Sequence, residues 1–222
     1  MLSLNLLSGG RDKSMSNKIA IYLAGSIKKG HERVDESFWT DEDILLLKKS
    51  LSEYEVSFLN PAFRADNLSD QRSVFGRDMT QVYCSDVVFV DARDRRGLGV
   101  GAEMMWAKFH KIPIVTLAPK DSHYSKSKTT LLGVAVENWV HPFIESLSDA
   151  IVENLIEGAA CIKRFIGDSD PEVRDIEYIE SSMRYYRDSQ LPHDGPMKAL
   201  LEANSQLHKR FASLEKRCAK RT

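Results

Sequence analysis

DVVFVDA, residues 86–92, is the stretch whose reading decides the fold. Between its two aspartates lie only apolar, mostly β-branched residues, with no alternation of polar and apolar positions. A strand written this way is buried on both faces, which is the habit of parallel sheets covered by helices on each side. A polar loop, ARDRRG, follows it, and GAEMMWAKFH then has helical spacing. KIPIVTLAP (Lys111 to Pro119) repeats the pattern as a further strand. Upstream, KIAIYLAG (Lys18 to Gly25) and VSFLNP (Val56 to Pro61) read as two earlier strands, the second ended by its proline.

Helices are expected between these runs. Thr40 with Asp43 forms a capping-box pattern ahead of DILLLKKSL, and a second helix is expected around Ser73 to Cys84. After the fourth strand, KDSHYSKSKTT reads as a long polar loop, AVENWVHPFI as the place of a short fifth strand, and ESLSDAIVENLIEGA as a fourth helix of this layer. Strand and helix thus alternate over residues 18–158, which predicts an α/β fold: a doubly wound, flavodoxin- or Rossmann-like parallel sheet of about five strands. Ligands of such sheets bind outside the carboxyl ends of the strands, near a switch point. AGSIKKG, NPAFR, DARDRRGLGVGAE and APKDSHY all fall at those ends.

Two segments flank this domain. Residues 1–17, with MLSLNLLSGGRDKS ahead of Met15, read as a disordered leader or an upstream start: the apolar run is too short for a signal peptide and lacks a basic flank. Residues 159–222 read as a helical extension, DPEVRDIEYIESSMRYYRD and PMKALLEANSQLHKRFASLEKRC, split by LPHDGP. Leu200, Leu207, Phe211, Leu214 and Cys218 fall on one face, which suits packing on the domain or on a partner subunit.

Composition narrows the function. Lysine plus arginine (31) nearly equals aspartate plus glutamate (32), so no global charge points to nucleic acid or a membrane surface. No apolar run approaches the roughly 18 residues of a bilayer span. Three dispersed cysteines, Cys84, Cys161 and Cys218, give neither a disulfide framework nor a zinc pattern, and a reducing cytoplasm is the expected setting. The six histidines are scattered as well, and no metal or cofactor is expected.

The loops exclude three familiar chemistries. GLGVG follows the third strand, whereas a dinucleotide fingerprint follows the first. AGSIKKG lacks the GxxxxGK[ST] of a phosphate-binding P-loop, and no GxSxG elbow is present. What remains is a set of carboxylates and one tyrosine. Glu103 falls near the start of the third helix, where the helix dipole favours an ionised carboxylate fit to act as nucleophile or base. Gly99 and Gly101, just before it, let a substrate approach the backbone. Asp78 lies on the helix before the third strand, Tyr22 near the end of the first strand, and Asp91 at the end of the third. Each has a structural alternative: a dipole-favoured helix residue, a partner for Arg77, a core tyrosine with its hydroxyl satisfied.

In combination these segments resemble the nucleoside 2-deoxyribosyltransferase superfamily, with its 2'-deoxynucleoside 5'-phosphate N-hydrolase branch. YLAGSIKKG (Tyr22 to Gly30) is similar to that branch's first-strand motif. RDMTQVYCSDVVFVDA (Arg77 to Ala92) is similar to the superfamily's Asp-bearing helix and third strand, and GLGVGAEMMWA to its glycine-rich turn with the catalytic glutamate. The resemblance covers roughly residues 18–117, extends more weakly to 158, and leaves the C-terminal helices unexplained.

The resemblance implies a role for each matched residue. Glu103 matches the nucleophile that attacks the anomeric carbon, Asp78 the acid that gives the departing base a proton, and Tyr22 the hydroxyl that orients the nucleophile. Ser26 matches a 5'-phosphate ligand, helped by the backbone N–H groups of its loop from Gly25 to Ile27. Asn60 lies where the superfamily contacts the base, and nearby Phe63 either stacks on a base or anchors its loop. One position departs: six residues before Glu103, where the N-hydrolases carry serine and the transferases aspartate, this chain has Gly97. Arg95 and Arg96 precede it, either as replacement phosphate ligands or as solvated surface charges. The implied activity is cleavage of the N-glycosidic bond of a (deoxy)nucleoside 5'-monophosphate through a glycosyl-Glu103 ester, without a metal. The alternatives are a nucleoside 2-deoxyribosyltransferase that exchanges bases, and a nucleotide-binding sensor without catalysis. A homo-oligomer, dimer or higher, is implied too, with Ser127 or Thr129 of the polar loop reaching a neighbouring site.

Overall fold

The computed structural model describes residues 17–25, 39–94 and 97–213. Its centre is a five-stranded parallel sheet built from β1 (Lys18–Ala24), β2 (Glu55–Leu59), β3 (Val87–Asp91), β4 (Ile114–Leu117) and, late in the chain, β7 (Ala150–Val152), in the order β2-β1-β3-β4-β7. The chain steps from β1 outward to β2 and then returns to the other side of β1 with β3. That reversal puts a switch point at the carboxyl ends of β1 and β3.

Strand parity sorts the core into two halves. Ile21 and Leu23 of β1 and Val87 and Phe89 of β3 face α1 (Asp41–Ser50) and α5 (Leu155–Gly167), where they meet Leu47, Leu51, Leu155 and Ile162. Gly158 of α5 lies against Phe89: a β-carbon there would meet the ring at 2.5 Å, so only glycine lets this helix lie so close. Tyr22, Ala24, Val88 and Val90 face the other way, toward α2 (Gln71–Cys84) and α3 (Leu98–Phe109), and pack on Val82, Val100, Met104 and Ala107. All five residues of β3 are buried, as a strand covered on both faces must be. The fold is therefore α/β with a parallel sheet flanked by helices and a helical extension at its C-terminal end.

Local signals operate as written. Thr40 caps α1 by accepting from Asp43 N while Asp43 accepts from Thr40 N. Asp70 caps α2 by accepting from Arg72 N and Ser73 N. Three local expectations are corrected. The polar segment after β4 is not a loop: Ser125–Leu131 (β5) and Val134–Val140 (β6) form an antiparallel hairpin outside the main sheet. The fifth sheet strand lies inside ESLSDAIVENLIEGA, which divides into α4 (Pro142–Leu147), β7 and α5. Its three residues are too few for periodicity to reveal, and pairing with β4 creates them. The last helical stretch also divides, at Asn204, into α7 (Gly195–Ala203) and α8 (Ser205–Ala212), because the Asn204 side chain caps α8.

α5 runs through residue 158 and buries its face on the sheet as far as Phe165. Beyond it come α6 (Ile176–Tyr185), a wider turn over 186–190, a 3-10 turn over 191–193, α7 and α8. The start of the extension is tied to the sheet through Asp149. Asp149, just before β7, accepts from Lys108 Nζ of α3, from Ile114 N of β4 at 2.7 Å and from Arg174 N of the extension at 2.7 Å. Residues 1–16, 26–38, 95–96 and 214–222 lie outside the described residues, and with them the expectations for the leader, Ser26, Ile27, Arg95, Arg96, Leu214 and Cys218. No helix among the described residues is long and apolar enough to cross a membrane.

Candidate active site

Tyr22 is completely buried on the α2/α3 side of β1, at the switch point. Its hydroxyl donates to Glu103 Oε1 at 2.9 Å, across 81 residues of chain. Glu103 itself is only 6 % exposed. Its second oxygen, Oε2, is buried and has no hydrogen-bond partner among the described residues. A buried carboxylate oxygen left open is costly, so native structures keep few of them without a use.

The position of Glu103 corrects one expectation. α3 begins at Leu98 after Gly97, so Glu103 sits in the second turn, past the reach of the first-turn dipole effect. Burial governs it instead. Loss of solvation, the larger cause, and the nearby Asp78 charge push its pKa up to about 7, against the opposing hydrogen bond from Tyr22. The side chain therefore titrates near neutrality rather than standing firmly ionised. The Tyr22 hydroxyl is held protonated well above its ordinary range, first by burial and then by the Glu103 carboxylate.

Asp78 projects from α2 into the same electrostatic field, since its charge raises both Glu103 and Tyr22. Two arginines hold it. Arg64 Nη1 donates to both Asp78 oxygens, at 3.3 and 3.4 Å, and Arg77 Nη1 lies 3.5 Å away. Burial nevertheless lifts the Asp78 pKa above its usual value, with the arginines opposing. Asp78 can thus carry a proton more readily than a surface aspartate. Arg64 is a residue that sequence reasoning missed. It forms a two-pronged pair with Asp66 at 2.8 and 2.7 Å, and its side chain is 7 % exposed. Nothing in NPAFR distinguishes it from a surface arginine; only folding brings α2 against this loop.

The other residues divide. Asp91 points to the opposite face of the sheet from Tyr22. There it is fully buried and accepts from Arg93 Nε at 3.0 Å, and Arg93 also bridges to Asp43 of α1 at 2.7 Å. Asp91 is thus part of a clamp between β3 and α1 rather than a neighbour of Glu103. Gly25 lies against the same clamp, with the Trp39 indole 3.2 Å from where its β-carbon would be. Asn60 uses its side chain to accept from Ala62 N at 2.9 Å, closing the turn after β2. Phe63 is 76 % exposed, and its carbonyl accepts from Arg77.

Gly97, Gly99 and Gly101 are all exposed. The last two belong to α3 itself, so the glycine-rich stretch is helix rather than turn. A β-carbon at Gly99 would sit 3.9 Å from Glu103 Oε1, an ordinary contact. The glycines therefore serve by leaving the helix bare beside Glu103, not by special backbone angles. Ser127 is engaged within its own segment, donating to Asp121 at 2.6 Å. No group of three or more His, Cys, Asp or Glu among the described residues is placed to hold a metal.

What this arrangement offers is a carboxylate with one oxygen fixed by a tyrosine and one oxygen open, beside a second carboxyl whose protonation is tuned separately. Paired carboxyls with separated roles carry out acid and nucleophile work. No family model matches the chain, and no curated protein matches it. Among solved structures, a 2-deoxyribosyltransferase from the psychrotolerant bacterium Bacillus psychrosaccharolyticus is a distant, partial match, with 14 % identity and a TM-score of 0.39, covering 64 % of this chain and 95 % of its own.

Proposed function

We propose that this chain is an enzyme that breaks the N-glycosidic bond of a nucleoside or nucleoside 5'-monophosphate, with Glu103 as nucleophile. The observation that carries the reading is the asymmetric Glu103 carboxylate: Oε1 accepts from Tyr22 at 2.9 Å while buried Oε2 has no partner among the described residues. In the first step Oε2 attacks the anomeric carbon. The carbon–nitrogen bond breaks, its electron pair leaves with the base, and Asp78 supplies the proton that the base takes up. Positive charge that develops on the sugar is met by a fixed carboxylate in a water-poor site, where such stabilisation is strongest.

The second step decides the enzyme's class. A second base that attacks the anomeric carbon breaks its bond to Glu103, restores the carboxylate and yields a new nucleoside; water attacking there yields the free sugar or its 5'-phosphate. Burial of Glu103 shields the ester from bulk water and favours transfer to a base. Hydrolysis is the second reading, favoured by the serine and lysines of AGSIKKG, which suit a 5'-phosphate.

One experiment tests both. The protein is incubated with a panel of nucleosides and monophosphates, with and without a second free base, and products are separated by chromatography. Exchange of bases supports the transferase; release of base without exchange supports the hydrolase. A sugar adduct on Glu103 should appear by intact mass. If no base is released, or Glu103→Ala releases it as fast as wild type, the reading fails. Stabilisation by nucleotide without turnover would leave a sensor in its place.

A further inference from the structure

Asp78 belongs to a set of four charged side chains beyond the carboxyl end of β2. Arg64 and Asp66 come from the loop after β2, Arg77 and Asp78 from α2. Two cations face two anions, and Arg64, its side chain 7 % exposed, is the hub. Its bonds are uneven. Nε and Nη2 donate to Asp66 at 2.8 and 2.7 Å, a two-pronged pair of the strongest kind an arginine makes. What Arg64 gives Asp78 is Nη1 alone, at 3.3 and 3.4 Å. Arg77 is diverted as well. Its Nη2 donates to Phe63 O at 2.6 Å, and its Nη1 stands 3.5 Å from Asp78. Both cations beside Asp78 make their shortest bonds elsewhere.

This unevenness bears on the acid step. A carboxyl that gives up a proton must first hold one, and a short two-pronged arginine bond holds a carboxylate ionised instead. With no cation at all, Asp78 would lose its anchor. The observed contacts lie between these extremes: long enough to be weak, yet directed at both oxygens. The charged and titratable groups that face Asp78 among the described residues are Arg64 and Asp66 of the loop, Arg77 of its own helix, Glu103 of α3 and Tyr22 of β1. Burial lifts the Asp78 pKa, the two arginines oppose, and the Asp66 charge adds to the rise. Asp66 is the anion that both occupies Arg64 and resists ionisation of Asp78.

We infer that Asp66 is a positioning residue for the acid step: by occupying the Arg64 fork it leaves Asp78 able to carry a proton. The inference rests on the proposed role of Asp78 as the acid. As the carbon–nitrogen bond breaks and its electron pair leaves with the base, the proton passes from Asp78 to the base. In the second step Asp78 regains a proton from the incoming base or from water. Arg64 stays on Asp66 throughout, so the new Asp78 carboxylate is steadied by Nη1 and not captured by the whole fork.

The test reads the Asp78 carboxyl itself, by carbon-13 NMR titration of the full chain, with Asp78→Asn to assign its signal. Asp66→Asn keeps the shape and frees the fork for Asp78, so the Asp78 midpoint should fall by about one pH unit or more. At pH 7 kcat for base release should then fall about tenfold per unit, with KM little changed. Removing the fork as well, in Asp66→Asn with Arg64→Gln, should bring midpoint and kcat back up. A merely structural Asp66 would leave the double variant no better than the single one. A midpoint that stays or rises in Asp66→Asn overturns the inference, and so does a double variant that stays low. Should Asp66→Asn fail to fold, Arg64→Gln decides: the Asp78 midpoint should rise, and an unchanged one overturns the inference. A wild type that releases no base removes the reaction itself, whatever the midpoint. A midpoint unmoved in an enzyme that does release base removes only the role of Asp66.

Discussion

Glu103 and Lys108 lie five residues apart on α3, and both are buried and ionisable. Their surroundings are opposite. Lys108 meets Asp149, each side chain 1 % exposed, and Asp149 is completed by two backbone N–H donors. Glu103 has one hydroxyl on one oxygen and nothing on the other among the described residues. Burial moves both away from their ordinary range, Glu103 up and Lys108 down, because burial disfavours charge of either sign. The difference is completion. A buried charge whose valences are all met joins elements together; one left open is held at a cost that only a ligand or a reaction recovers. The first pair fastens α3, β4 and the extension, and the second residue faces the switch point.

The comparison can be broken at either end. Glu103→Gln keeps shape and removes the proposed nucleophile, so base release should fall by more than about 10³-fold with the fold intact. Loss of folding instead would make Glu103 structural. Lys108→Met leaves Asp149 buried without its cation, and urea unfolding should show a loss of about 3–5 kcal/mol. The fraction that remains folded should release base as wild type does, and a small stability change would remove the contrast with Glu103.

The pH dependence of stability gives the next largest effect. The Glu103 pKa rises from 4.5 to about 7 on folding, so between those values the folded chain holds a proton that the unfolded chain has released. That contribution is complete below about 4.5 and lost as pH rises through about 7, amounting to about 3 kcal/mol. Unfolding measured at several pH values should show this slope, and Glu103→Gln should flatten it. On the proposed reaction, base release should run in the opposite sense, rising through pH 7 as Glu103 ionises.

Tyr22→Phe removes the donor on Oε1, which should cost about 1 kcal/mol of stability and move the acid limb of the rate profile upward. An unshifted limb would mean that Tyr22 does not act on Glu103. The smallest effect belongs to Lys111, whose pair with Asp175 is at 3.1 Å with the lysine side chain 73 % exposed. Lys111→Ala should change stability by less than about 0.5 kcal/mol. It lies at the same end of α3 as Lys108, so a large loss there would show that burial is not what separates these pairs.

Much of this was legible in the chain. The first four strands, the capping of α1 by Thr40 and Asp43, and the placing of Tyr22 and Glu103 at neighbouring strand ends follow from pattern and fold class. The hairpin was not legible, because SKSKTTL is polar and carries none of the alternation that a half-buried strand shows. Asp91 was legible as a strand-end carboxylate but not as Arg93's partner, since its direction depends on which residue of β3 first faces α1. Arg64 gave no signal, for its two acidic partners come from its own loop and from a helix fourteen residues on.

By itself the sequence determined the alternation of strand and helix and the ends of the main elements. Those rest on side-chain period and capping, which act over a few residues. Only tertiary structure decided which ionisable groups are dry, which are completed and which are left open. Desolvation sums over every element packed around a group, and here the decisive contacts join residues 81 positions apart at Glu103 and 41 apart at Lys108.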